Sequence, residues 1–476
     1  MQSGILAVGA YVPRLRLARS AIASAHKWMA PALVSGAKGC RAFCSHDEDA
    51  VTMAVEAVRD CIPPRDRNQV AALSLASTTL PYADMSNGAI VAAATDLPKA
   101  VRASESTGSQ RAGSLALIAA LRRADEDAVV VASERGQAKP ASTFEMQFGA
   151  GAAAFRIGPG EAVAHYLGSA SSSASFPDHV RAADSEDSYF WEERFIRDEG
   201  YRLIPPVVGE ALVQSGVAIA DISHFVMPSL LRGGAGAVAK AIGYKGQIAD
   251  DLASDCGHAG AAHGFLMLAK VLETANAGER ILFVTFGQGV DAIVLQATGK
   301  SSPGRGVSGC LADRIETQDY LRFLSFYGRV DLDWGMRAEV QEKAALTNAW
   351  RSSSQVLGFR AGKCPHCQTV QFPQLSVCVS PGCGSSSTEF EQISLADEPA
   401  KVLTYTADWL SYHPAPPLFA GFVQFANGAR LMMETCDTNA EIMDVGVPLR
   451  MVFRARKTDP RSGFRRYFWK ATPLNS

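Results

Sequence analysis

The chain has 476 residues, 47% hydrophobic and 20% charged, a composition typical of a soluble globular protein with two or three domains. Its 46 Lys and Arg residues nearly balance 48 Asp and Glu residues, and this near-neutral charge argues against a nucleic-acid partner. Without an apolar stretch of about 18 residues, the sequence predicts no membrane span. The N-terminal M-Q-S-G-I-L-A-V-G is interpreted as a first strand, not a signal peptide. Scattered cysteines favour a reducing, cytoplasmic setting over a disulfide framework.

The first 300 residues alternate apolar runs with helical segments. Residues 71–77 and 128–133 are predicted to be buried strands, and residues 115–122 a helix. Strands of this kind between helices are typical of an α/β fold whose central sheet is covered on both faces.

An internal repeat lies within this region. The segment S-Q-R-A-G-S-L-A-L-I-A-A-L, from Ser109, is echoed by C-G-H-A-G-A-A-H-G-F-L-M-L, from Cys256. In each copy an Ala-Gly pair opens a helix, and an apolar strand and an F-G-x-G turn follow. Two copies of one α/β unit predict a pseudo-twofold pair of half-domains. The functional site is expected between the halves, where the two Ala-Gly turns face one another.

Four of the ten cysteines cluster after the α/β region, at Cys364, Cys367, Cys378 and Cys383. Their C-x₂-C-x₁₀-C-x₄-C spacing is suited to two knuckle turns that hold four thiolates around Zn²⁺. A four-sulfur site has no open position for substrate, so a structural zinc is predicted. A redox role is disfavoured because no thioredoxin-like unit surrounds the cysteines.

The region after the cysteines is rich in short apolar segments. Five strands are predicted, in K-V-L-T-Y-T-A, F-A-G-F-V-Q-F, R-L-M-M-E-T, P-L-R-M-V-F-R-A-R and F-R-R-Y-F-W-K-A. Five strands joined by turns fit a small β-barrel, with the OB-fold as the favoured form. Before the cysteines, D-Y-L-R-F-L and M-R-A-E-V-Q-E-K-A-A-L are predicted to be short linking helices.

These motifs resemble two known families. Residues 1–300, with S-E-R-G-Q-A-K-P, E-M-Q-F-G-A-G-A-A-A-F and W-E-E-R-F, resemble the thiolase superfamily in its 3-hydroxy-3-methylglutaryl-CoA synthase and ketoacyl synthase III branch. Residues from about 350 resemble DUF35 proteins, a rubredoxin-like zinc ribbon joined to an OB-fold. The resemblance implies a duplicated fold of α/β/α/β/α layers, a twofold homodimer and a coenzyme A thioester as substrate. The predicted domains are thiolase-like halves at 1–165 and 166–300, a helical linker at 301–358, a zinc ribbon at 359–390 and an OB-fold at 391–476.

The chain departs from this family at all three positions of its Cys-His-Asn set. Gln110 occupies the place of the nucleophilic cysteine in a Q-R-A-G turn. Pro228 or a neighbour occupies the place of the histidine, and His258 that of the asparagine. Because an amide cannot attack a thioester as a thiolate can, acyl transfer through residue 110 is not expected.

Three functions remain open. The favoured one is aldol or retro-aldol chemistry on a β-hydroxyacyl-CoA without an acyl-enzyme, which needs a base and an oxyanion hole. The second is a non-catalytic scaffold or CoA-channelling partner of a separate thiolase. The third is a decarboxylase in which Gln110 replaces cysteine and its amide stabilises an enolate.

Individual residues are assigned roles within the favoured hypothesis. His258 is the leading acid/base candidate, with a helix cap as the alternative. Asp84, with Tyr82, is a second candidate base, with an Asx-turn or N-cap as the alternative. Gly287, Gly289, Arg111 and the amides around Gln110 are predicted to bind the thioester carbonyl or the substrate.

Basic residues are concentrated in the last two predicted strands and their hairpin. The open roles are a phosphate contact for CoA, nucleic-acid binding or a solvated outer face. The residues are Arg454, Arg456, Lys457, Arg461, Arg465, Arg466 and Lys470.

Overall fold

The computed structural model describes residues 3–123, 125–183, 185–190, 192–336 and 345–474. The helix predicted from M-R-A-E-V-Q-E-K-A-A-L lies almost wholly outside these described residues. The chain forms two compact units: unit 1 comprises residues 1–45, 49–92 and 97–327, and unit 2 comprises residues 46–48, 93–96 and 328–476. Within the described ranges, every helix is too short or too polar to cross a bilayer.

Unit 1 is built from alternating strands and helices. Its strands are β1 Ser3–Tyr11, β2 Leu15–Ala18, β3 Cys40–Ala42, β4 Ala72–Ala76, β5 Arg102–Ser106, β6 Ala128–Arg135, β7 Ala150–Pro159, β8 Ala164–Ser173, β9 His179–Val180, β10 Tyr189–Phe190, β11 His224–Val226, β12 Gln247–Ile248, β13 Arg280–Phe286, β14 Gly289–Ala297 and β15 Ile315–Thr317. Its α-helices are α1 Arg19–His26, α2 Ala50–Cys61, α3 Asn87–Ala94, α4 Ala112–Leu121, α5 Thr143–Gln147, α6 Glu193–Phe195, α7 Ile204–Ser215, α8 Gly234–Ala241, α9 Gly260–Leu272, α10 Gly306–Ala312 and α11 Tyr320–Phe326. Short 3₁₀ or π turns are Pro31–Gly36, Pro64–Gln69, Ile196–Gly200, Tyr201–Leu203 and Ile219–Asp221.

The central sheet confirms the predicted duplication. Its order is β12-β11-β13-β14-β8-β1-β7-β6-β4-β5. Reading outward from the middle, β1-β7-β6-β4-β5 and β8-β14-β13-β11-β12 have the same chain order within each half. Parallel and antiparallel pairings also repeat, since β4 and β11 each lie parallel to both neighbours. The halves join through β1 and β8, where Gly4 and Ile5 pair with His165 and Ala164.

Helices α4 and α9, which begin at the two Ala-Gly pairs, lie in the core of unit 1. Leu117 and Phe265 are almost completely buried in one cluster with side chains of the sheet. A helix apolar on all sides, as α4 is, is stable only when it is enclosed. Gly113 permits the close approach of the two helices, because a Cβ there would lie 3.1 Å from the Phe265 ring.

Unit 2 holds the ribbon and the barrel. Its elements are α12 Leu346–Arg351, α13 Ser353–Leu357, β16 Arg360–Lys363, β17 Val370–Gln371, the 3₁₀ turn Ser387–Glu389, β18 Glu391–Ser394, β19 Ala400–Val402, β20 Thr406–Asp408, β21 Leu418–Phe425, β22 Arg430–Thr435, β23 Pro448–Thr458 and β24 Arg465–Pro473. Strands β17, β16 and β18 form the small sheet of the ribbon. The order β19-β23-β24-β22-β21 closes into a barrel because β19 also pairs with β21. The predicted five-stranded barrel is thus confirmed, although K-V-L-T-Y-T-A divides into β19 and β20.

Candidate functional site

A cavity of about 90 Å³ lies where the two Ala-Gly turns meet. Gln110 comes from the turn before α4, and His258 and Gly260 come from the start of α9; all three line this space, as does Pro228. We call it the Gln110 cavity. Its apolar wall consists of Phe144, Phe190, Ile196, Tyr201, Leu231 and Phe286. An apolar cavity with a few polar groups is the usual form of a small-molecule site.

Gln110 presents an unsatisfied acceptor to this cavity. Its Oε1 is buried and has no hydrogen-bond partner among the described residues. The backbone of α9 comes close to this oxygen, since a Cβ on Gly260 would lie 3.3 Å from it. A buried acceptor without a partner costs about 1–3 kcal/mol, which a ligand hydroxyl could recover by donating a hydrogen bond.

His258 is held in one tautomer by the helix that follows it. The Gly260 N–H lies 3.2 Å from His258 Nδ1, which therefore accepts, so the ring proton is on Nε2. Burial, and then the neighbouring His263, lower the pKa of His258 well below its ordinary value. The ring is therefore neutral near pH 7, and it can donate from Nε2 but is a poor base.

His263 makes a contrast with His258. It is buried on α9, with Nδ1 accepting from the Ala259 N–H and Nε2 donating to the Asp251 carbonyl. Burial lowers its pKa to about 4. With both ring nitrogens bonded to backbone, His263 supports the neighbouring ring of His258, 4.3 Å away between centroids.

No cysteine is among the residues that line the Gln110 cavity in the described part of the chain. Cys256, the nearest in sequence to His258, is fully buried, and its thiol donates to the Leu252 and Gly257 carbonyls. Burial raises the pKa of this thiol to about 12. Cys256 is therefore an inert thiol at neutral pH, because the thiolate is the nucleophilic form.

An aspartate–histidine pair lines the same cavity. His179 Nδ1 lies 2.8 Å from Asp178 Oδ2, and both side chains are nearly buried. Gln288 Nε2 donates to the other Asp178 oxygen, and Phe190 stacks on the imidazole at 5.3 Å. The carboxylate fixes the proton on Nδ1 and leaves Nε2 as a lone-pair acceptor. This pair was not predicted from the sequence, because a two-residue strand such as β9 is too short to give a periodic signal.

Glu134, at the end of β6, is a second residue that sequence analysis missed. It lines a side cavity of about 40 Å³ that shares Gln110 and His258 with the first. Its carboxylate accepts from the Thr78 N–H at 3.0 Å and the Thr78 hydroxyl at 2.9 Å. Burial raises the pKa of Glu134, and these hydrogen bonds only partly oppose the rise.

The structure does not bring Asp84 or Tyr82 to the cavity. Asp84 lies on an exposed loop. The Tyr82 backbone is tied to the Asn87 side chain, which accepts from its N–H and donates to its carbonyl. Neither residue is among those that line the Gln110 cavity.

Gly287, Gly289 and Arg111, which were predicted to bind the thioester carbonyl or the substrate, are buried, and none is among the described residues that line the Gln110 cavity. The Gly287 N–H donates to the Gly289 carbonyl, and the Gly287 carbonyl accepts from Arg111 Nε at 3.2 Å. Arg111 also donates to Asp291 Oδ1 and Ser173 Oγ, both at 2.8 Å. The N–H and carbonyl of Gly287 and the guanidinium of Arg111 are thus already hydrogen-bonded within the protein.

The four cysteines of the ribbon lie together as predicted. Their sulfur atoms are all within 4.8 Å of one another, with Cys364–Cys383 at 3.7 Å and Cys367–Cys378 at 3.5 Å. Tetrahedral Zn²⁺ with Zn–S bonds of about 2.3 Å requires sulfur separations of about 3.8 Å. The geometry and the thiolate donor set both fit a structural zinc.

Two of the basic residues in the barrel are not on a solvated face. Arg454 is almost completely buried and pairs with Glu48 at 3.1 Å and Asp437 at 2.9 Å. Lys470 is also buried and pairs with Asp47 at 2.8 Å. Their charges are neutralised within unit 2, so neither is available for a phosphate.

Similarity to known proteins covers both units. A hydroxymethylglutaryl-CoA synthase of Aeropyrum pernix is 28% identical over 374 residues, which cover 72% of this chain and 95% of that protein. A crystal structure of HMG-CoA synthase complexed with CoA superposes with a TM-score of 0.56 at 15% identity, covering 72% of this chain and 95% of that one. Unit 1 has the thiolase fold.

The thiolase-fold unit is joined to a ribbon of known type. Residues 356–389 match the family described as ChsH2, rubredoxin-like zinc ribbon domain. A DUF35 domain-containing scaffold protein of Methanocaldococcus jannaschii is 28% identical over 149 residues, which cover 30% of this chain and 99% of that protein. These findings confirm the fusion inferred from the sequence.

Proposed function

We propose that this protein is an enzyme that makes or breaks a C–C bond next to the thioester carbonyl of an acyl-CoA, by aldol or retro-aldol chemistry without an acyl-enzyme. Similarity to hydroxymethylglutaryl-CoA synthases supports the acyl-CoA class of chemistry. The observation that carries the non-covalent mechanism is Gln110 in the cavity between the two halves, with no cysteine among the described residues that line it.

The thioester carbonyl is polarised by His258. A neutral imidazole with its proton on Nε2 stabilises an enolate oxygen by donating a hydrogen bond to it, and its low pKa keeps it in this form. Gln110 contributes a second polar group at the same place. Its unsatisfied Oε1 accepts from the β-hydroxyl of the substrate, and this contact orients the bond that breaks.

The proton is moved by His179. In the cleavage direction, Nε2 of His179 removes the proton of the β-hydroxyl, and the Cα–Cβ bond breaks as the β-carbonyl forms. The electron pair of that bond passes into the thioester as an enolate. The imidazolium, stabilised by Asp178 at 2.8 Å, then returns the proton to Cα. The products are a shorter acyl-CoA and an aldehyde or ketone, and synthesis is the reverse.

Two further roles are proposed for other parts of the chain. Cys364, Cys367, Cys378 and Cys383 hold a structural Zn²⁺ that stabilises the ribbon. A homodimer forms through β5, the edge strand of the ten-stranded sheet, whose outer backbone groups have no neighbouring strand in the described chain.

The test uses the purified full-length chain and a panel of β-hydroxyacyl-CoA thioesters. Liquid chromatography with mass spectrometry measures the shorter acyl-CoA, and hydrazine trapping measures the carbonyl product. His179→Gln is expected to lower kcat by roughly 10²–10⁴-fold as a lost base. His258→Ala is expected to lower it by about 10²–10³-fold as a lost oxyanion donor. His224→Gln, which removes a similar His–Glu pair outside the cavity, is expected to leave the rate unchanged.

Three results would contradict the proposal. A wild-type chain that cleaves none of the thioesters would exclude retro-aldol activity. An acyl group covalently bound to the protein in intact-mass spectra would exclude the non-covalent mechanism. Decarboxylation of malonyl-CoA at a higher rate than cleavage would instead assign Gln110 to a decarboxylase.

A scaffold role is the second candidate, and the similarity to the DUF35 domain-containing scaffold protein favours it. It predicts that the purified chain is inactive alone and raises the activity of a separate thiolase in a mixture. Equal thiolase activity with and without the chain would exclude this role.

A further inference from the structure

Unit 2 contains a second group of metal-binding side chains, separate from the four cysteines. His46, His413 and Glu434 place one ligand atom each within 4.8 Å of the others. His46 belongs to the 46–48 segment of unit 2, His413 lies between β20 and β21, and Glu434 is on β22. The two imidazole rings meet edge to face, with centroids 4.9 Å apart. Three elements distant in sequence therefore converge on one point.

The two ring nitrogens of His413 face different groups: Nδ1 faces the backbone of Ala415, and Nε2 faces the carboxylate of Glu434. His413 Nδ1 lies 2.8 Å from the Ala415 carbonyl oxygen, and in the tautomer with its proton on Nδ1 the ring donates to that oxygen. The Ala415 N–H is farther from the same nitrogen, at 3.3 Å. In this tautomer Nε2 presents its lone pair to Glu434 Oε1 at 3.0 Å, and a metal ion fits between the two acceptors. In the other tautomer Nε2 carries the proton and donates it to Glu434 in an ordinary hydrogen bond.

The first of these two arrangements is the one that metal-binding histidines adopt. Such a histidine donates its other ring N–H to a backbone carbonyl or a carboxylate, which fixes the tautomer and aims the lone pair at the metal. In His413 the Ala415 carbonyl serves as that acceptor.

Lys470 is compatible with a metal at this site. The ammonium group of Lys470 contacts Glu434 and also forms an ion pair with buried Asp47 at 2.8 Å. The Asp47 ion pair therefore keeps Lys470 neutralised when Glu434 binds a metal ion. A carboxylate offers about four acceptor positions, so Glu434 can serve both cations. Glu434 and Lys470 also line a cavity of about 90 Å³ with Arg456 and Phe468, so the carboxylate has space beside it in which to turn.

The required adjustment is small. A metal ion about 2.1 Å from each ligand atom permits separations of up to about 4.2 Å. The widest pair here, at no more than 4.8 Å, needs to close by less than about 1 Å, which side-chain rotation supplies.

We propose that His46, His413 and Glu434 bind a first-row divalent cation of the Zn²⁺ type, with at least one position open to water or a small ligand. Two imidazoles and one carboxylate favour Zn²⁺, Co²⁺ or Fe²⁺ over Ca²⁺ and Mg²⁺, which take mainly oxygen ligands. This site is independent of the thiolase-fold unit and of its activity.

The experiment measures metal stoichiometry in the full-length chain. Protein stripped with a chelator is loaded with Co²⁺ or Zn²⁺, and the bound metal is counted by plasma mass spectrometry after gel filtration. The wild-type chain is expected to bind two ions, and His413→Gln or Glu434→Gln only one. His224→Gln is the matched control, because it alters a His–Glu pair of the same 3.0 Å length elsewhere, and it is expected to retain two ions.

Cobalt absorption separates loss of the site from loss of folding. Thiolate-to-cobalt bands in the near ultraviolet report the four-cysteine site, and they are expected to persist in His413→Gln and Glu434→Gln. Cys364→Ser is expected to remove these bands while the second ion remains. One ion in the wild-type chain, with thiolate bands, would overturn the proposal and assign the Nε2–Glu434 contact to a proton. Two ions in both histidine variants, His46→Gln and His413→Gln, would overturn it as well.

Discussion

Replacing Arg111 with methionine tests whether this residue supports the fold or binds substrate. Its guanidinium donates to Asp291 and Ser173 at 2.8 Å and to the Gly287 carbonyl at 3.2 Å. The Asp291 side chain is completely buried. Methionine keeps an unbranched chain of similar length but removes the charge. Asp291 then keeps a hydrogen bond from Ser114 at 2.6 Å but loses its arginine.

The expected loss of stability is large. Removing one partner of a buried ion pair costs about 3–5 kcal/mol. The entropy of unfolding is about 2.1 cal/mol/K per residue, so a unit of roughly 300 residues has about 0.6 kcal/mol/K. The unfolding midpoint of unit 1 is therefore expected to fall by about 5–8 °C.

The loss depends on pH through Asp291. Burial raises the pKa of this carboxyl even beside Arg111, and it rises further without the arginine. A raised pKa in the folded state means that the protonated carboxyl favours folding. Stability then falls as pH increases from the unfolded value of about 3.9 to the folded-state pKa. The loss of stability of Arg111→Met relative to the wild type is therefore smallest in acid, and it reaches its full size above the folded-state pKa of Asp291.

The assay follows thermal unfolding by circular dichroism at about pH 5 and pH 8, with CoA binding measured by calorimetry below the midpoint. The double variant Arg111→Met/Asp291→Leu replaces the pair by apolar residues and is expected to recover most of the loss. An unchanged midpoint together with lost CoA binding would refute this reasoning and make Arg111 a substrate-binding residue.

Two further predictions concern the turns around the cavity. Gly260→Ala is expected to destabilise unit 1 by about 2–5 kcal/mol, since its φ is +46° and its Cβ would lie 2.5 Å from Glu134 Cγ. Gly216→Ala is the control, because Gly216 has a similar φ of +64° but open space around it, so only the backbone strain of about 1–2 kcal/mol is expected. Equal losses of unfolding free energy for the two variants in urea would refute the steric clash at Gly260. Gln110→Cys is expected to form an acyl-enzyme with acetyl-CoA in intact-mass spectra, while wild type forms none; an adduct on wild type would contradict the assigned role of Gln110.

The fold was predictable because its signals are local or repeated. The two Ala-Gly turns mark two copies of one unit, and the sheet order repeats accordingly. The cysteines at positions 364–383 are close in sequence, so their spacing alone indicates the site they form. The barrel followed from strand and turn patterns, and only β20 was not separated from β19.

The site was less predictable because its contacts span long stretches of chain. Arg111 and Asp291 are 180 residues apart, and no pattern in either segment of the sequence predicts that they form an ion pair. His258 lines the cavity, but its tautomer is set by the Gly260 N–H and its low pKa by burial, and neither can be read from the sequence. His179 reaches the cavity from β9, a two-residue strand that is too short to show any periodicity in the sequence.

Arg454 and Lys470 of unit 2 are also paired with residues that are distant in the sequence. Strand alternation with so many basic residues suggests an outer, hydrated face. Both side chains instead point inward, because residues 46–48 bring Asp47 and Glu48 to them.

The tripeptide His46–Glu48 also determines whether the C-terminal part of unit 2, residues 328–476, can be studied in isolation. A fragment that begins at residue 328 would lack the carboxylates of Asp47 and Glu48 and would enclose Arg454 and Lys470 with fewer counter-charges. Such a fragment is expected to be soluble and folded only when a short peptide with the sequence S-H-D-E-D is supplied in trans. The same peptide would then serve as a switchable reporter, since its release would unfold the barrel.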